Sequence, residues 1–269
     1  MALADIGWRA IAANISDLAA MGARPLLATV ALGVPVAMSQ SDILELYRGM
    51  LEIATAHGCG IAGGDVVRAP ELFVSITAIG EVRASQIKGR AGACAGDIAA
   101  VTGSLGASRA GLEISENPRK ERDEELRAQA LQAHRRPQPR VAEGEWLAAS
   151  RNVHAMMDIS DGLSSDLARI CAQSRCAAVI ESVPVAWSAS QMAKQCGEDP
   201  QSYALASGEE YELLVAVSAR AFTYVSTRFS KRFGRPLLPV GRFREGTGVY
   251  VLKGGREESL VPTGWDHFS

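Results

Sequence analysis

Carboxylates stand next to glycines, or at the ends of apolar segments, at four places along the chain. The first is Asp17, which interrupts an apolar, alanine-rich pattern in residues 14–22. A charge among apolar side chains is costly unless it is paired or bound to a cation. Three interpretations of Asp17 remain open from the sequence: a metal ligand, a side chain facing water, or an ion-pair partner of Arg9 or Arg24.

The second place is Gly63-Gly64-Asp65, at the end of a segment that begins near Gly58. We predict a short strand that runs into a glycine turn here. Glycines let backbone N–H groups approach phosphate oxygens, and an adjacent aspartate can hold Mg²⁺. The same pattern is also typical of an ordinary hairpin turn. It is not a Walker A loop, because no Gly-Lys-Ser/Thr follows.

The third place is Asp158-Ile-Ser160-Asp161-Gly162, where a predicted strand passes directly into a predicted helix. Ser160 or Asp161 is suited to the N-cap of that helix. A capping role leaves Asp158, at the strand end, unexplained. Because two carboxylates at one turn repel each other unless a cation lies between them, this segment predicts a metal site.

The fourth place is Ser207–Leu213, which contains Glu209, Glu210 and Glu212. It is interpreted either as a charged strand edge or as a group that recognises a substrate. The C-terminal run Gly264-Trp265-Asp266-His267-Phe268 is expected to cover a planar ligand or to pack on the core. Taken together, the carboxylates and glycine turns favour phosphates held by Mg²⁺, a chemistry that needs no covalent nucleophile.

The hydrophobic pattern predicts the elements that carry these residues. Helices are predicted at residues 5–21, 41–57, 141–150 and 220–233, with another ending near Cys171, and strands at 26–34, 72–82, 98–102, 155–159, 177–181, 211–217, 237–240 and 249–252. Residues 117–136 are polar and are predicted to be a solvated helix or a linker. Helices and strands alternate in both halves, which predicts an α+β (mixed α/β) fold with domains at 1–96 and 97–269.

Composition excludes several classes of protein. With 28 Lys+Arg and 30 Asp+Glu in 269 residues, the net charge of −2 argues against a nucleic-acid partner bound through a basic surface. The longest apolar stretch, Leu26–Met38, is too short for a membrane span, and the N-terminus has no secretory signal pattern. The five cysteines form no Cys-x-x-Cys pair, so we expect reduced thiols in a cytoplasmic protein and no zinc site.

Seven motifs occur in order between Asp5 and Phe268. They are Asn-Ile-Ser-Asp-Leu-Ala-Ala-Met-Gly (14–22), Gly-Gly-Asp (63–65), Gly-Arg-Ala-Gly-Ala (89–93), His-Arg-Arg-Pro-Gln-Pro-Arg (134–140), Asp-Ile-Ser-Asp-Gly-Leu (158–163), Gly-Glu-Glu-Tyr-Glu-Leu (208–213) and Gly-Trp-Asp-His-Phe (264–268). In this order the chain closely resembles the thiamine-monophosphate kinases, in the aminoimidazole ribonucleotide synthetase-like superfamily. The last two motifs favour the thiamine enzymes over their relatives.

The resemblance implies a transferase of thiamine diphosphate biosynthesis. Its reaction is the ATP-dependent, Mg²⁺-assisted, in-line phosphorylation of thiamine monophosphate to thiamine diphosphate. The implied metal ligands are Asp17, Asp65, Asp158 and Asp161. The implied ATP contacts are Gly64, Asp65, Arg90, Ser160 and Tyr47, and the implied substrate contacts are Glu209 and Trp265.

The implied architecture is a two-domain fold in which residues 1–96 bind ATP and Mg²⁺ and form a homodimeric barrel, and residues 97–269 form an α+β domain. Two departures from the family pattern stand out. Glu210 replaces an aspartate of the family motif. The family also has a longer segment before the position of Asn14, and that segment, which carries further metal-binding motifs, is expected to be missing here. The N-terminal half is therefore expected to be truncated and activity impaired. The alternatives are a non-catalytic nucleotide- or thiamine-phosphate-binding paralogue, or a superfamily relative with another substrate.

Overall fold

The computed structural model describes residues 1–118 and 123–261. The first part of the chain contains α1 (Leu3–Ala20), β1 (Arg24–Val34), α2 (Gln40–Ala56), β2 (Gly60–Arg68) and β3 (Phe73–Glu81). The second part contains β4 (Ile98–Val101), α3 (Ala107–Glu116), α4 (Glu124–Arg135), α5 (Val141–Ala148), β5 (Val153–Asp158), α6 (Leu163–Ser174), β6 (Ala177–Ile180), α7 (Trp187–Cys196), α8 (Pro200–Leu205), β7 (Leu213–Val217), α9 (Phe222–Phe233), β8 (Leu238–Arg244), β9 (Gly248–Lys253) and β10 (Arg256–Leu260).

A three-stranded sheet, in the order β2-β1-β3, packs against α1 and α2. Strand β1 is parallel to β2 and antiparallel to β3. Side chains alternate along a strand, so Ala28, Val30 and Leu32 of β1 face the core. Helix α1 presents Ile11 and Ile15 to the same core, as their helical spacing predicts.

The predicted glycine turn at Gly63-Gly64-Asp65 is wrong, because β2 continues through these residues to Arg68. The glycines instead accompany an irregularity in the β1–β2 pairing, between Ala28 and Thr29. Gly64 has a φ of 155°, and a Cβ there would lie 1.8 Å from the carbonyl oxygen of Val30. Glycine is required at this position because two backbones approach closely, and not because the chain turns.

A seven-stranded sheet, in the order β10-β9-β6-β8-β4-β7-β5, forms the centre of the second part. Only β6 and β9 pair in parallel among its described neighbours. Leu213, Val215 and Val217 of β7 face the core that contains α1, while Leu214 and Ala216 face the core beneath α6. Burial on both faces explains the continuous apolar sequence of β7, and it brings α1 against the central strands.

Helices α3, α4 and α7 pack together in a third apolar cluster. The prediction of a solvated segment at 117–136 is therefore only partly right, because α4 buries Leu126, Ala130 and His134. Residues 119–122 lie outside the described part. The sequence prediction missed α7, which buries mainly small residues, and β10, whose sequence Arg-Glu-Glu-Ser-Leu lacks apolar alternation. Nowhere in residues 1–118 and 123–261 does a helix have the length and apolar character needed to cross a bilayer.

Candidate active site at the end of strand β5

Asp158 is the last residue of β5 and is buried where that strand meets α1. Its Oδ2 accepts a hydrogen bond of 2.7 Å from the Ser16 hydroxyl. Burial, with a smaller contribution from the neighbouring Asp17 carboxylate, raises the pKa of Asp158 to about 6, while the Ser16 hydrogen bond opposes the shift. A buried carboxylate with a carboxylate neighbour is a place where a cation is stabilising.

Asp17 follows Ser16 on α1 and is exposed. Partial desolvation raises its pKa, and the positive charge of Arg90 lowers it. Arg9 and Arg24, the two other partners considered from the sequence, pair with Glu209 and Glu81 instead. Asp17 is therefore exposed to solvent near Asp158. Among the described charges that shift the pKa values of these two carboxylates, Arg90 is the only cation that acts on both.

Arg90 is positioned by its backbone. Its carbonyl accepts a 2.9 Å hydrogen bond from the Ser174 hydroxyl at the end of α6, and the Gly89 carbonyl accepts a 3.0 Å bond from the Met156 amide of β5. The segment is thus attached to both elements that flank Asp158. Its guanidinium is exposed, so it is available to an anion such as a phosphate.

The turn after β5 is held by Asp166, which the sequence interpretation did not single out. Oδ2 of this fully buried side chain accepts hydrogen bonds of 3.1 Å from the amides of Ser160, Asp161 and Gly162. The expected capping by Ser160 or Asp161 is wrong: Gly162 occupies the N-cap, with a φ of 113°, and has no side chain to cap with. Asp166, in the first turn of α6, supplies that acceptor from inside the helix. An aspartate five residues after Asp161, within the predicted helix, was the available signal.

Arg169 binds both Asp161 and Asp166. The Asp161 carboxylate is therefore neutralised by a guanidinium in this structure, rather than directed at Asp158. Arg169 thus supplies a positive charge to both Asp161 and Asp166, which reduces the repulsion among the carboxylates at the end of β5.

The second wall of the site is the segment before β7. The amide of Glu209 donates to the Ser160 carbonyl at 2.7 Å, and that of Tyr211 donates to the Ile159 carbonyl at 2.9 Å. Glu209 and Tyr211 have φ values of 59° and 53°, a left-handed backbone that non-glycine residues rarely adopt. Strain of this kind persists where surrounding contacts enforce it, and it is frequent at functional sites. Here it places Glu209, half exposed, beside the turn that carries Asp161.

The interpretation of Glu210 and Glu212 as a charged strand edge is wrong. Oε1 of Glu210 accepts bonds from the amides of Gly106 (2.8 Å) and Ser108 (3.3 Å), which begin α3. Burial raises the pKa of Glu210 to about 7. Glu212 is buried between Thr102, at 2.6 Å, and Arg140, at 2.9 and 2.5 Å. Both acids therefore have structural partners within the fold, whereas the half-exposed Glu209 pairs with Arg9.

His134 lies behind Glu209 and is buried. Its Nδ1 is 3.2 Å from Nη1 of Arg9, 3.5 Å from the Ser108 hydroxyl and 4.0 Å from Oε2 of Glu209. Burial, together with the positive charges of Arg9, Arg135 and the N-terminus, lowers the pKa of His134 to about 4. The imidazole is therefore neutral in the folded protein at neutral pH.

This lowered pKa predicts a loss of stability in acid. The unfolded chain takes up the His134 proton below about pH 6.5, whereas the folded chain resists it until about pH 4, so acid favours unfolding in that window. From pH 7.5 to pH 5 the wild-type protein is expected to lose about 2 kcal/mol more stability than His134→Gln. Urea unfolding of both proteins at the two pH values measures this difference. Equal losses would show that the pKa of His134 is not lowered in the folded protein.

The predicted site residues fall into three groups in the structure. Asp17, Arg90, Asp158, Ser160, Asp161 and Glu209 surround the end of β5. Gly64 and Asp65 lie on exposed β2 of the smaller sheet, where Asp65 Oδ1 accepts a 2.9 Å bond from the Val66 amide. Tyr47, on α2, packs against the apolar core. Trp265 lies outside the described residues.

The residues at β5 fit a Mg²⁺ ion in part. Asp158 and Asp17 offer carboxylate oxygens, the ligand type that Mg²⁺ prefers, and the raised pKa of Asp158 marks a buried charge in need of a cation. Within the described ranges, however, no three of the four predicted carboxylates have ligand atoms within 4.8 Å of one another. Asp161 is paired with Arg169, and Asp65 lies on β2 of the smaller sheet.

Comparison with known proteins places this arrangement in a family. Residues 1–82 match the family model for the AIR synthase related protein N-terminal domain, and residues 95–251 match the model for the C-terminal domain. The thiamine-monophosphate kinase of Rhodopirellula baltica is 35% identical over 98% of this chain and 77% of its own. The crystal structure of the Stenotrophomonas maltophilia thiamine-monophosphate kinase has a TM-score of 0.85 and 34% identity, and covers 93% of this chain and 78% of its own.

A second solved structure, AaThiL complexed with AMPPCP and TMP, has a TM-score of 0.87 and 29% identity over 100% of this chain and 82% of its own. Both the sequence and the fold thus match across nearly all of the chain. The chain belongs to the thiamine-monophosphate kinase family.

Proposed function

We propose that this protein transfers the γ-phosphoryl group of ATP directly to thiamine monophosphate, giving thiamine diphosphate and ADP. The observation that carries the proposal is the convergence of Asp17, Asp158 and Arg90 at the end of β5, two carboxylates and a cation suited to Mg²⁺ and phosphate. Membership of the family, and the structural match to a relative complexed with AMPPCP and TMP, supply the substrates.

In this proposal Asp158 and Asp17 would hold Mg²⁺, with Asp161 and Asp65 as further carboxylate ligands. The bound ion would neutralise charge on the phosphates during transfer. Arg90, Gly64 and Ser160 contact the nucleotide phosphates, and Tyr47 contacts the adenine side. Glu209 and Trp265 contact the thiamine monophosphate.

The acceptor explains why the site contains acids and a guanidinium rather than a nucleophile with its base. A phosphate monoester has a second pKa near 6, so its oxygen is already ionised at neutral pH and needs no general base. The protein's task is to position two anionic groups and to offset their repulsion. The paired backbones of residues 159–161 and 209–211 support that task, since they join the proposed metal and substrate sides of the site.

A product assay tests the proposal. The purified chain is incubated with ATP, Mg²⁺ and thiamine monophosphate, and thiamine diphosphate is measured by mass spectrometry, with a chelator arm. Chelator-sensitive product is the expected result. Binding of thiamine monophosphate without ADP release would favour a non-catalytic paralogue, and turnover of another acceptor alone would favour a superfamily relative.

Glu209→Gln is expected to raise the KM for thiamine monophosphate about tenfold, worth ~1.4 kcal/mol, and to leave the KM for ATP within about twofold. The reason is that the substitution removes a half-exposed charge beside the site while keeping its shape. Glu198→Gln is a matched control, since Glu198 is 42% exposed against 41% for Glu209 and likewise pairs with an arginine. Equal rises in both KM values would show that Glu209 does not lie on the substrate side of the site.

The smaller sheet supports a homodimer through residues 1–96, the proposed N-terminal domain. Its α1/α2 side is covered, whereas Val66, Val67, Phe73 and Ile79 are each about half exposed on β2 and β3. An apolar sheet surface with an unpaired edge strand favours a second copy as its cover. Light scattering of the purified chain checks this, and a monomer at micromolar concentration would contradict it.

The five cysteines, all free thiols in the structure, support a cytoplasmic location.

A further inference from the structure

A second cluster of ligating side chains lies at the opposite end of β5 from Asp158. Cys94, Asp97 and His154 each offer one ligand atom, and these atoms all lie within 4.8 Å of one another. Four residues separate His154 from Asp158 along the strand, a distance of about 13 Å. The cluster is therefore separate from the proposed kinase site.

Asp97 organises the cluster. Its buried Oδ2 accepts a 2.8 Å bond from the Cys94 amide and lies 2.8 Å from Nδ1 of His154. The arrangement fixes the ring of His154 and the backbone of Cys94 at the same time. With its ring proton on Nε2, His154 presents the lone pair of Nδ1 beside Oδ2 of Asp97, so both atoms can bind one cation.

The backbone around the cluster is also fixed. The amide of Asp97 donates to the Cys94 carbonyl at 3.0 Å. The amide of Gly96 donates to the Phe243 carbonyl, and the amide of Phe243 donates to the Asp97 carbonyl, both at 2.8 Å. His154 belongs to β5, inside the large sheet. Ligands on rigid elements keep their geometry without an ion, which lowers the cost of binding one.

Access and charge suit a small cation. Cys94 is exposed and the His154 side chain is 31% exposed, so an ion can reach the cluster from solvent. In a tetrahedral zinc site the ligand atoms are about 3.5 Å apart, given metal–ligand distances near 2.0–2.3 Å. Small side-chain adjustments would bring the observed set to that spacing.

We propose that Cys94, Asp97 and His154 bind a divalent cation of the zinc class. A thiolate and an imidazole select a borderline or soft ion over Mg²⁺, which prefers oxygen ligands alone. Asp97 stabilises the turn and orients the histidine, and the Cys94 thiol donates to the Gly92 carbonyl at 3.4 Å, but neither contact requires the thiol to lie within 4.8 Å of both groups. The ligands are up to 60 residues apart in sequence, so the absence of a Cys-x-x-Cys pair gave no indication of them.

The test uses the full chain, freed of metal by a chelator and then kept in excess Mg²⁺ so that oxygen-only sites are occupied. Co²⁺ is added as the spectroscopic probe. We expect a near-ultraviolet thiolate-to-cobalt band that saturates with Co²⁺ and is removed by Zn²⁺. Co²⁺ at the Asp17 and Asp158 site gives no such band, because that site has no sulfur, so failure of this proposal is distinguishable from failure of the kinase proposal.

Variants locate the ion. Cys94→Ser is expected to abolish the band, and His154→Gln to weaken Co²⁺ binding at least tenfold, while Cys196→Ser and Cys176→Ser keep it. The Cys94 side chain is exposed, so its variant is expected to fold, and circular dichroism checks this. Hydrogen exchange of the amides in 92–97 should slow when Zn²⁺ is added. No band from folded protein, or a band that survives Cys94→Ser, would overturn the proposal.

Discussion

Asp158→Asn is expected to lower kcat for thiamine diphosphate formation by about a thousandfold or more, the usual scale for loss of a group that neutralises transition-state charge. The substitution removes the most buried of the proposed metal-binding carboxylates. Steady-state rates over a range of Mg²⁺ concentrations measure the effect. A rate close to wild type with unchanged Mg²⁺ dependence would exclude Asp158 from the metal site.

The same variant is expected to be no less stable than the wild type, and more stable by about 1 kcal/mol at pH 8. The pKa of Asp158 is raised in the fold, so its charged form is disfavoured there and the cost is present at every pH above about 6. Asparagine carries no charge and can still accept the Ser16 hydrogen bond. Glu258→Gln, which alters an exposed carboxylate on β10, is the control for kcat. A large fall in stability would mean that the lost activity reflects unfolding.

Asp166→Ala is expected to reduce the free energy of unfolding by about 3–5 kcal/mol, the range for breaking a buried charged network. The substitution leaves three backbone amides without their acceptor and removes one of the two carboxylates that pair with Arg169. The turn that carries Ser160 and Asp161 should then lose its shape, so the KM for ATP should rise as well. Urea unfolding and ATP titration measure the two effects.

Asp166→Asn separates the hydrogen bonds from the charge. Its side-chain oxygen can still accept from the amides of 160–162, but its NH₂ group would face the Arg169 guanidinium in place of Oδ1, so we expect about half the loss of stability of the alanine variant. Asp42→Ala is a second comparison, because the Asp42 side chain completes the capping box of α2 by accepting from the Ser39 amide. Its loss should be about 1 kcal/mol. If Asp166→Ala costs no more than Asp42→Ala, Asp166 does not hold the turn.

The elements that the sequence predicted best are those whose side chains face a core on a regular period. Helix α1, strand β1 and helix α2 follow this rule, and their predicted bounds differ from the observed ones by one or two residues. The segment at β2 was misassigned because glycine signals a turn locally. Here the glycine is required by the neighbouring strand, through the 1.8 Å approach that a Cβ at Gly64 would make to Val30. Nothing near Gly64 in sequence reveals that contact.

In the candidate site, too, some features are visible in the sequence and others depend on contacts between distant residues. A carboxylate at the end of an apolar strand is visible in sequence, and this identified Asp158 and, through the motif order, its family. The partner that each charge takes depends on distance: Arg169 pairs with Asp161, Asp97 pairs with His154, and Arg90 acts on Asp17 through its charge alone. The roles of Asp166 and Glu210 as acceptors for remote amides are equally invisible, because the donors are set by the packing of α6 and α3.

The sequence by itself determined the fold class, the family and the positions of the acidic motifs, since these depend on residue type, periodicity and order. Only the tertiary structure decided which carboxylates are buried, which are already paired, and that Cys94 meets His154 across 60 residues. The physical reason is that hydrophobic patterning acts over a few turns of helix or strand. Electrostatic and coordination chemistry acts over a few ångströms of space, whatever the separation along the chain.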